Sequence, residues 1–311
     1  MSLVDTARRA PPFVRRPLRY LWRNLVRLTP RPSLRPPLED EARVRRLSLT
    51  PKDESFITGN GFAARCRFVL NYDVLKVNEG VRNNWWFCKS DLLEYFFEEL
   101  APSEPFVLFS HNSDRPIVGR QCRRWLDRRE LIAWYAQNAD MEHPKLHAIP
   151  IGIANPRWPH GDQEVLRGAM RSSVSKSRLI DATYDVRTNP GEREHCMEQT
   201  GIAPDPRLPF ADYLERLAAA YFCLCPRGNG IDVHRTWEAL YLRTVPVVTQ
   251  SVIATHHADL PVVVLRDWSE FHAIEFSPEL YDSIWSNWSP EAIRLDRYLD
   301  RVIAKIESVT D

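Results

Sequence analysis

Arg227, His234 and Arg235 crowd around two glycines, Gly228 and Gly230, and Glu238 follows four residues after His234. A cation in the first turn of a helix opposes the positive end of the helix dipole, at a cost of roughly a few tenths of a kcal/mol. Several cations there make sense where an anion docks. Backbone N–H groups, the dipole and the cationic side chains would converge on phosphate. Glu238, one turn further along the same face, is placed to take the hydroxyls of a ribose. Arg227, Gly228, Asn229, Gly230, His234, Arg235 and Glu238 together therefore describe a site for a nucleoside diphosphate. The plain alternative is a strand-to-helix loop whose charges face water. The loop is neither a Walker A sequence nor the full dinucleotide fingerprint, because Gly-Lys-Ser/Thr and the third glycine are absent.

The elements that must hold these residues can be read on either side. Tyr221 to Cys225 is a short apolar run, as in a buried strand, and Pro226 ends it. The glycines permit a sharp turn and a close backbone approach. Asp232 is suited to cap the following helix. Val233, Trp237, Leu240 and Tyr241 fall at i, i+4, i+7 and i+8, one apolar helical face. Val245 to Val248 makes a second buried strand. The stretch from Ala220 to Thr249 is thus a βαβ unit, which implies a parallel sheet.

This stretch, CPRGNGIDVHRTWEALYLRTVPVV, resembles the nucleotide-sugar loop and helix of exostosin-like glycosyltransferases (glycosyltransferase family 47). Those enzymes show a similar Pro-Arg-Gly, a following Arg and a Glu-Ala-Leu before a Val-Pro-Val strand. Arg243 stands where a glycine is common in the family, which alters the helix C-terminus and not the site. The resemblance is good over about thirty residues, and weaker features extend it, such as Ser-His-Asn-Ser-Asp at 110–114 and Ile-Pro-Ile-Gly at 149–152. It implies an α/β fold of GT-B type, two Rossmann-like domains facing a cleft. It also implies a nucleotide diphosphate sugar as donor and inversion at the anomeric carbon by a single displacement. The acceptor would be a glycan, a lipid-linked glycan or another hydroxyl.

Other polar loops offer partners for that chemistry. His111 and Asp114 follow a predicted strand, Phe106 to Ser110, at the edge where open α/β sheets bind ligands. Either would take a proton from an acceptor hydroxyl; equally, Asn112 and Asp114 would only close a turn. Trp158 is suited to stack on a sugar, and His160 is a second base candidate in a proline-stiffened loop. Arg187, Asn189 and Arg193 follow another strand end and would add positive charge against the donor phosphates, or serve as turn and cap residues. No Asp-x-Asp metal clamp and no Gly-x-Ser-x-Gly elbow occur. His256 and His257 are adjacent and would point to opposite faces of a strand. The reading is therefore metal-independent, with no cofactor, and the leaving-group charge met by cations and dipole.

Strands are expected at Cys66–Leu70, Phe106–Ser110, Leu146–Ile153, Ser177–Tyr184 and Pro261–Leu265. Helices are expected at Asp91–Leu100 (capped by Asp91), Arg129–Gln137, Pro209–Ala220 and Pro290–Ser308, and Gln163–Ser177 is expected to include a helix and the connection between domains. The domain division is 1–48 for a basic arm and proline-rich linker, 49–172 for an acceptor-side domain, 173–289 for a donor-side domain and 290–311 for a last helix. By analogy with two-domain transferases, that helix packs back across the first domain. Six cysteines without a CxxC pair read as buried thiols of a reducing compartment, so the protein is expected to be cytoplasmic.

Charge is divided unevenly. The 311-residue chain has a formal net charge of +1, yet its first fifty residues hold twelve arginines, no lysine and four acids. Leu18, Leu21, Trp22, Leu25 and Val26 form one face, with Arg15, Arg19, Arg23 and Arg27 on another. Such a helix suits an anionic membrane surface, reached through residues 13–28. A nucleic-acid reading is disfavoured by the acidic remainder of the chain. The runner-up to the enzyme is a non-catalytic nucleotide- or anion-binding module recruited to membranes by its arm. Deleting residues 1–48 is expected to abolish co-sedimentation with anionic liposomes; unchanged sedimentation would dismiss the membrane role of the arm.

Overall fold

The computed structural model describes residues 56–71, 74–251, 259–286 and 288–310. The expected arm, its proline-rich linker and the His256–His257 pair lie outside these residues. Two sheets belong to one unit of the chain, Arg46–Asp311. The architecture is α/β, with a mixed six-stranded sheet and a parallel four-stranded sheet, compatible with Rossmann-like folds.

A short helix, α1 (Gly59–Ala64), leads into β1 (Cys66–Asn71), β2 (Val74–Val77), β3 (Arg82–Lys89), β4 (Phe106–His111), β5 (Leu131–Ala136) and β6 (Leu146–Ala148), with α2 (Gly119–Leu126) between β4 and β5. The sheet order is β2-β1-β3-β4-β5-β6, antiparallel only between β1 and β2. Both faces of its centre are buried. Val69, Phe87, Val107, Phe109, Ala133 and Tyr135 enter one apolar cluster, and Leu70, Cys88, Leu108, Trp134 and Ala136 the other. This alternation is the period-two signature of a strand covered on both sides.

Two expected helices differ. Arg129–Gln137 is not a helix; its centre is β5, paired with β4 and β6. A short run that is apolar on both faces has no period to separate strand from helix, and Trp134 and Tyr135 favour the strand. The Asp91–Leu100 helix breaks into a 3-10 turn (Ser90–Leu92), one α turn (Leu93–Tyr95) and a π turn (Phe96–Leu100). Asp91 does not cap it. Its carboxylate pairs with Lys89 and accepts from Ser113 Oγ at 2.7 Å.

The second half runs α3 (Gln163–Arg171), β7 (Arg178–Asp181), α4 (Pro190–Thr200), α5 (Phe210–Ala218), β8 (Ala220–Leu224), α6 (His234–Tyr241), β9 (Val245–Thr249), β10 (Val263–Leu265), α7 (Pro278–Trp285) and α8 (Leu295–Thr310). Its sheet order is β10-β9-β8-β7, all parallel. The expected last helix divides into a 3-10 turn, Pro290–Ile293, and α8. Tyr298 of α8 meets Phe62 of α1 edge-on at 5.9 Å, and its hydroxyl donates to the Ala148 carbonyl at 3.5 Å. The end of the chain therefore packs on the first sheet. Among the described residues no helix is long and apolar enough to cross a membrane. All six cysteines are buried free thiols.

The loops after β5, β6 and β8 are hydrogen-bonded to one another. Asn138, buried and left-handed at φ 56°, accepts from Ile231 N (2.9 Å) and Asp232 N (3.2 Å) through one oxygen. Its Nδ2 donates to the Ser113 carbonyl. Asparagine tolerates this conformation better than most residues. Gly230 lies against the same amide: a Cβ there would come within 2.8 Å of Asn138 Nδ2. Asn138→Ala strands two buried N–H groups and should lower stability by roughly 2–4 kcal/mol in urea unfolding, whereas Asn138→Asp, which keeps an acceptor, should lose less.

Candidate functional site

The loop between β8 and α6 projects from the C-terminal edge of its sheet. Gly228 and Gly230 are buried, while the side chains of Arg227 and Asn229 are exposed. Two carbonyls of the loop turn inward. That of Gly228 accepts from Asn189 Nδ2 at 2.9 Å, and that of Arg227 accepts from Arg193 Nε at 3.0 Å. The N–H groups of Gly228, Asn229 and Gly230 carry no hydrogen bond among the described residues. Unpaired N–H groups on a turn leading into a helix are the kind of donors that bind anions in other folds.

Arg193, on the first turns of α4, is the cation built into this loop. It is 9% exposed, and its Nη1 donates to the Asp185 carbonyl at 2.6 Å. Its Nη2 lies 3.3 Å from where a Gly228 side chain would begin. No ion pair holds Arg193 among the described residues. Asp185 is near enough to favour its charge, but that carboxylate is taken by Arg187. Burial works against the Arg193 guanidinium. A buried cation without an acid is costly unless something negative completes it.

Arg187 is placed differently from its expected role. It is exposed, and its Nε and Nη2 bind Asp185 at 3.0 and 2.8 Å. That fork directs its charge to its own turn rather than to the glycine loop.

Arg235 also departs from expectation. Its guanidinium is buried and pairs with Asp181, at the end of β7, which is 0% exposed in its side chain. Nε donates to the Leu224 carbonyl at 2.9 Å. Asp181 in turn accepts from Arg216 at 2.9 Å. Burial alone would raise the Asp181 carboxyl, yet Arg235 and Arg216 hold it below the usual range. The physical reason for the difference is this internal acid: Arg235 is neutralised where it lies and ties α6 to β7 and β8.

Glu238 is not turned to a ribose site. It is buried in the helix layer and accepts from Tyr213 Oη of α5 at 2.7 Å. Burial pushes its carboxyl up to about 7. Asp232 does not cap α6; the N-cap is Val233, and no side chain caps the helix. The Asp232 carboxylate instead accepts from Ile151 N at 2.7 Å and from Trp237 Nε1 at 2.9 Å. It thus joins the loop after β8 to the segment after β6, and burial raises its carboxyl to about 6.

Of the two expected bases, one is buried and engaged at both ring nitrogens and the other is exposed. His111 is buried, with Nε2 3.1 Å from the Pro150 carbonyl and Nδ1 2.7 Å from Asn112 N. The carbonyl requires a proton on Nε2, and the peptide N–H requires a lone pair on Nδ1. Both nitrogens are occupied, and burial lowers its pKa to about 4. Asp114 is exposed in the following turn, with no hydrogen bond or ion pair among the described residues. Ser113 closes that turn, its Oγ accepting from Arg115 N.

His234, the first residue of α6, reaches the segment after β6. Its Nδ1 lies 2.7 Å from the Gly152 carbonyl. Gly152 itself is left-handed at φ 64°, and a Cβ there would strike the Ile57 carbonyl at 2.0 Å. Beyond His234 stand His160, at 6.2 Å between rings, and Trp158, a further 6.2 Å away and 47% exposed. Arg157 lies over the Trp158 ring at 4.7 Å. The structure therefore gathers Arg193, Arg227, Gly228, Asn229, Gly230 and His234 at the junction of the sheets. Arg235 and Glu238 are buried with Asp181 and Tyr213, Arg187 is paired with Asp185, and Asp114 is exposed. Among the described residues no three His, Cys, Asp or Glu are grouped to hold a metal.

Glu238 makes a pH test. Its folded pKa, about 7, lies above the unfolded value of a glutamate, so its stability contribution is present at low pH and is lost as pH rises through about 7. Glu238→Gln keeps an acceptor for Tyr213. It should stabilise the chain by roughly 1–3 kcal/mol at pH 8, and by less at pH 5, in thermal or urea unfolding.

The chain matches no protein-family model and no curated protein sequence.

Proposed function

We propose that the protein is a glycosyltransferase that moves a sugar from a nucleotide diphosphate sugar to a hydroxyl acceptor. In this reading the two sheets correspond to the halves of a GT-B arrangement. The donor lies on the second sheet, at the loop Arg227–Gly230. The acceptor enters from the side of Gly152 and Trp158. The observation that carries the reading is Arg193, a buried guanidinium in no ion pair among the described residues, set beside three peptide N–H groups that carry no hydrogen bond there. A diphosphate supplies the charge this arrangement lacks. The sequence of the loop and helix, with its resemblance to exostosin-like enzymes, supports a sugar on that diphosphate.

Arg193, Arg227 and the N–H groups of Gly228, Asn229 and Gly230 meet the charge that develops on the leaving diphosphate. Preorganised donors of this kind need no reorganisation as the bond breaks. The sequence lacks an Asp-x-Asp clamp, and the reading needs no metal. A glycan or lipid-linked acceptor would be presented at the membrane surface by the basic arm. A nucleotide-binding module without turnover would share the same anion site and differs only in releasing no product.

Titration calorimetry with UDP and GDP tests the site. Charged hydrogen bonds contribute about 1.5–3 kcal/mol each, so Arg193→Met should weaken binding by about 10- to 100-fold. Arg193→Lys should recover part of that loss, and Arg187→Ala should leave affinity unchanged. If Arg187→Ala is the damaging change and Arg193→Met is silent, the anion lies elsewhere. If folded wild-type protein binds neither nucleotide, the transferase reading is wrong.

A further inference from the structure

The His234 imidazole is oriented by its one hydrogen bond. The Gly152 carbonyl can only accept, so the Nδ1 atom 2.7 Å away carries the ring proton. The lone pair is then on Nε2, which has no hydrogen bond among the described residues. The side chain is only partly buried. Its position is equally specific. It begins α6, four residues after Gly230, and rests on the segment after β6 that leads to Trp158.

His111 offers the comparison. It has the same ring and a similar burial-lowered pKa, yet both its nitrogens are engaged. His234 alone of the two presents a free lone pair. We infer that His234 is the general base of the transfer, receiving the acceptor proton on Nε2, an assignment that rests on the glycosyltransferase reading above.

The acceptor oxygen attacks the anomeric carbon while its proton passes to Nε2. The bond from that carbon to the diphosphate oxygen breaks, and its electron pair leaves with the nucleoside diphosphate. The imidazolium then returns its proton to solvent. The titratable groups facing His234 are His160, from the loop after β6, and His111, at the end of β4; Arg207 acts on His160. Burial leads in lowering the pKa of His234, to about 4. The ring is therefore neutral at working pH. A diphosphate bound to the adjacent loop would raise its basicity, since a nearby anion favours the protonated form.

The test uses the full chain with UDP-glucose, UDP-galactose, UDP-N-acetylglucosamine, GDP-mannose and GDP-fucose, water serving as acceptor and released UDP or GDP being measured. His234→Asn preserves a side-chain N–H for Gly152 but removes the base. It should fold with an unchanged melting midpoint, bind UDP or GDP as wild type does, and turn over about 100-fold more slowly. Added imidazole should restore part of its rate, in proportion to the neutral form. If the wild type releases nucleotide and His234→Asn does so equally fast, or imidazole has no effect, the base assignment is overturned and the transfer reading stands. If the wild type binds UDP or GDP but cleaves none of the five donors, transfer and base both fall while the nucleotide site survives. If neither nucleotide binds, the site reading itself fails.

Discussion

Two peptide N–H groups, those of Ile231 and Asp232, end on one amide oxygen, that of Asn138. Everything at the junction of the sheets depends on this contact. Asn138 belongs to the loop after β5, and the peptides belong to the loop after β8, 93 and 94 residues away. Buried peptide groups must find partners, so the two loops are fixed in register. Asp232 then closes on Ile151 N, and His234 on the Gly152 carbonyl. Three contacts along four consecutive residues leave the loop little freedom.

The arginines around this loop show why charge must be read with its partners. Arg235 is buried with Asp181, and Arg216 completes that carboxylate. The pair is internally balanced, and removing either partner would leave a buried charge. Arg193 has carbonyl acceptors only: those of Arg227 and Asp185. Carbonyl dipoles orient a guanidinium without cancelling its charge. One arginine is therefore closed into an internal ion pair, and the other is held by carbonyls with Asp185 near but paired to Arg187. The residue type is the same; the distinction lies in whether a carboxylate reaches it.

That distinction also sets the limit of what the sequence discloses. The βαβ unit around the glycine loop was legible, because strand, turn and amphipathic helix are local patterns. β4, β7 and α5 were legible for the same reason. β5 was not, since a run buried on both faces lacks a helical or strand period. Asp232 has the composition of a cap, yet Ile151 N, 81 residues away, takes its carboxylate. Arg235 has the spacing of a phosphate ligand, yet Asp181 lies 54 residues upstream. Arg193 was visible only as one of three polar residues after a strand. Its burial depends on how α4 meets the loop after β8, a contact that no local pattern carries.

The histidines extend the same reasoning from charge to protons. A neutral imidazole has one donor and one acceptor, and its chemistry is set by which of them the fold consumes. His111 gives its proton to Pro150 and its lone pair to Asn112 N, so it serves as a clamp. His234 gives only its proton, to Gly152. Because Gly152 lies in the segment after β6 and His234 begins α6, that single bond ties the imidazole to both halves of the fold. The junction made by Asn138 and Asp232 is thus a stability element and, through His234, a determinant of where the lone pair points.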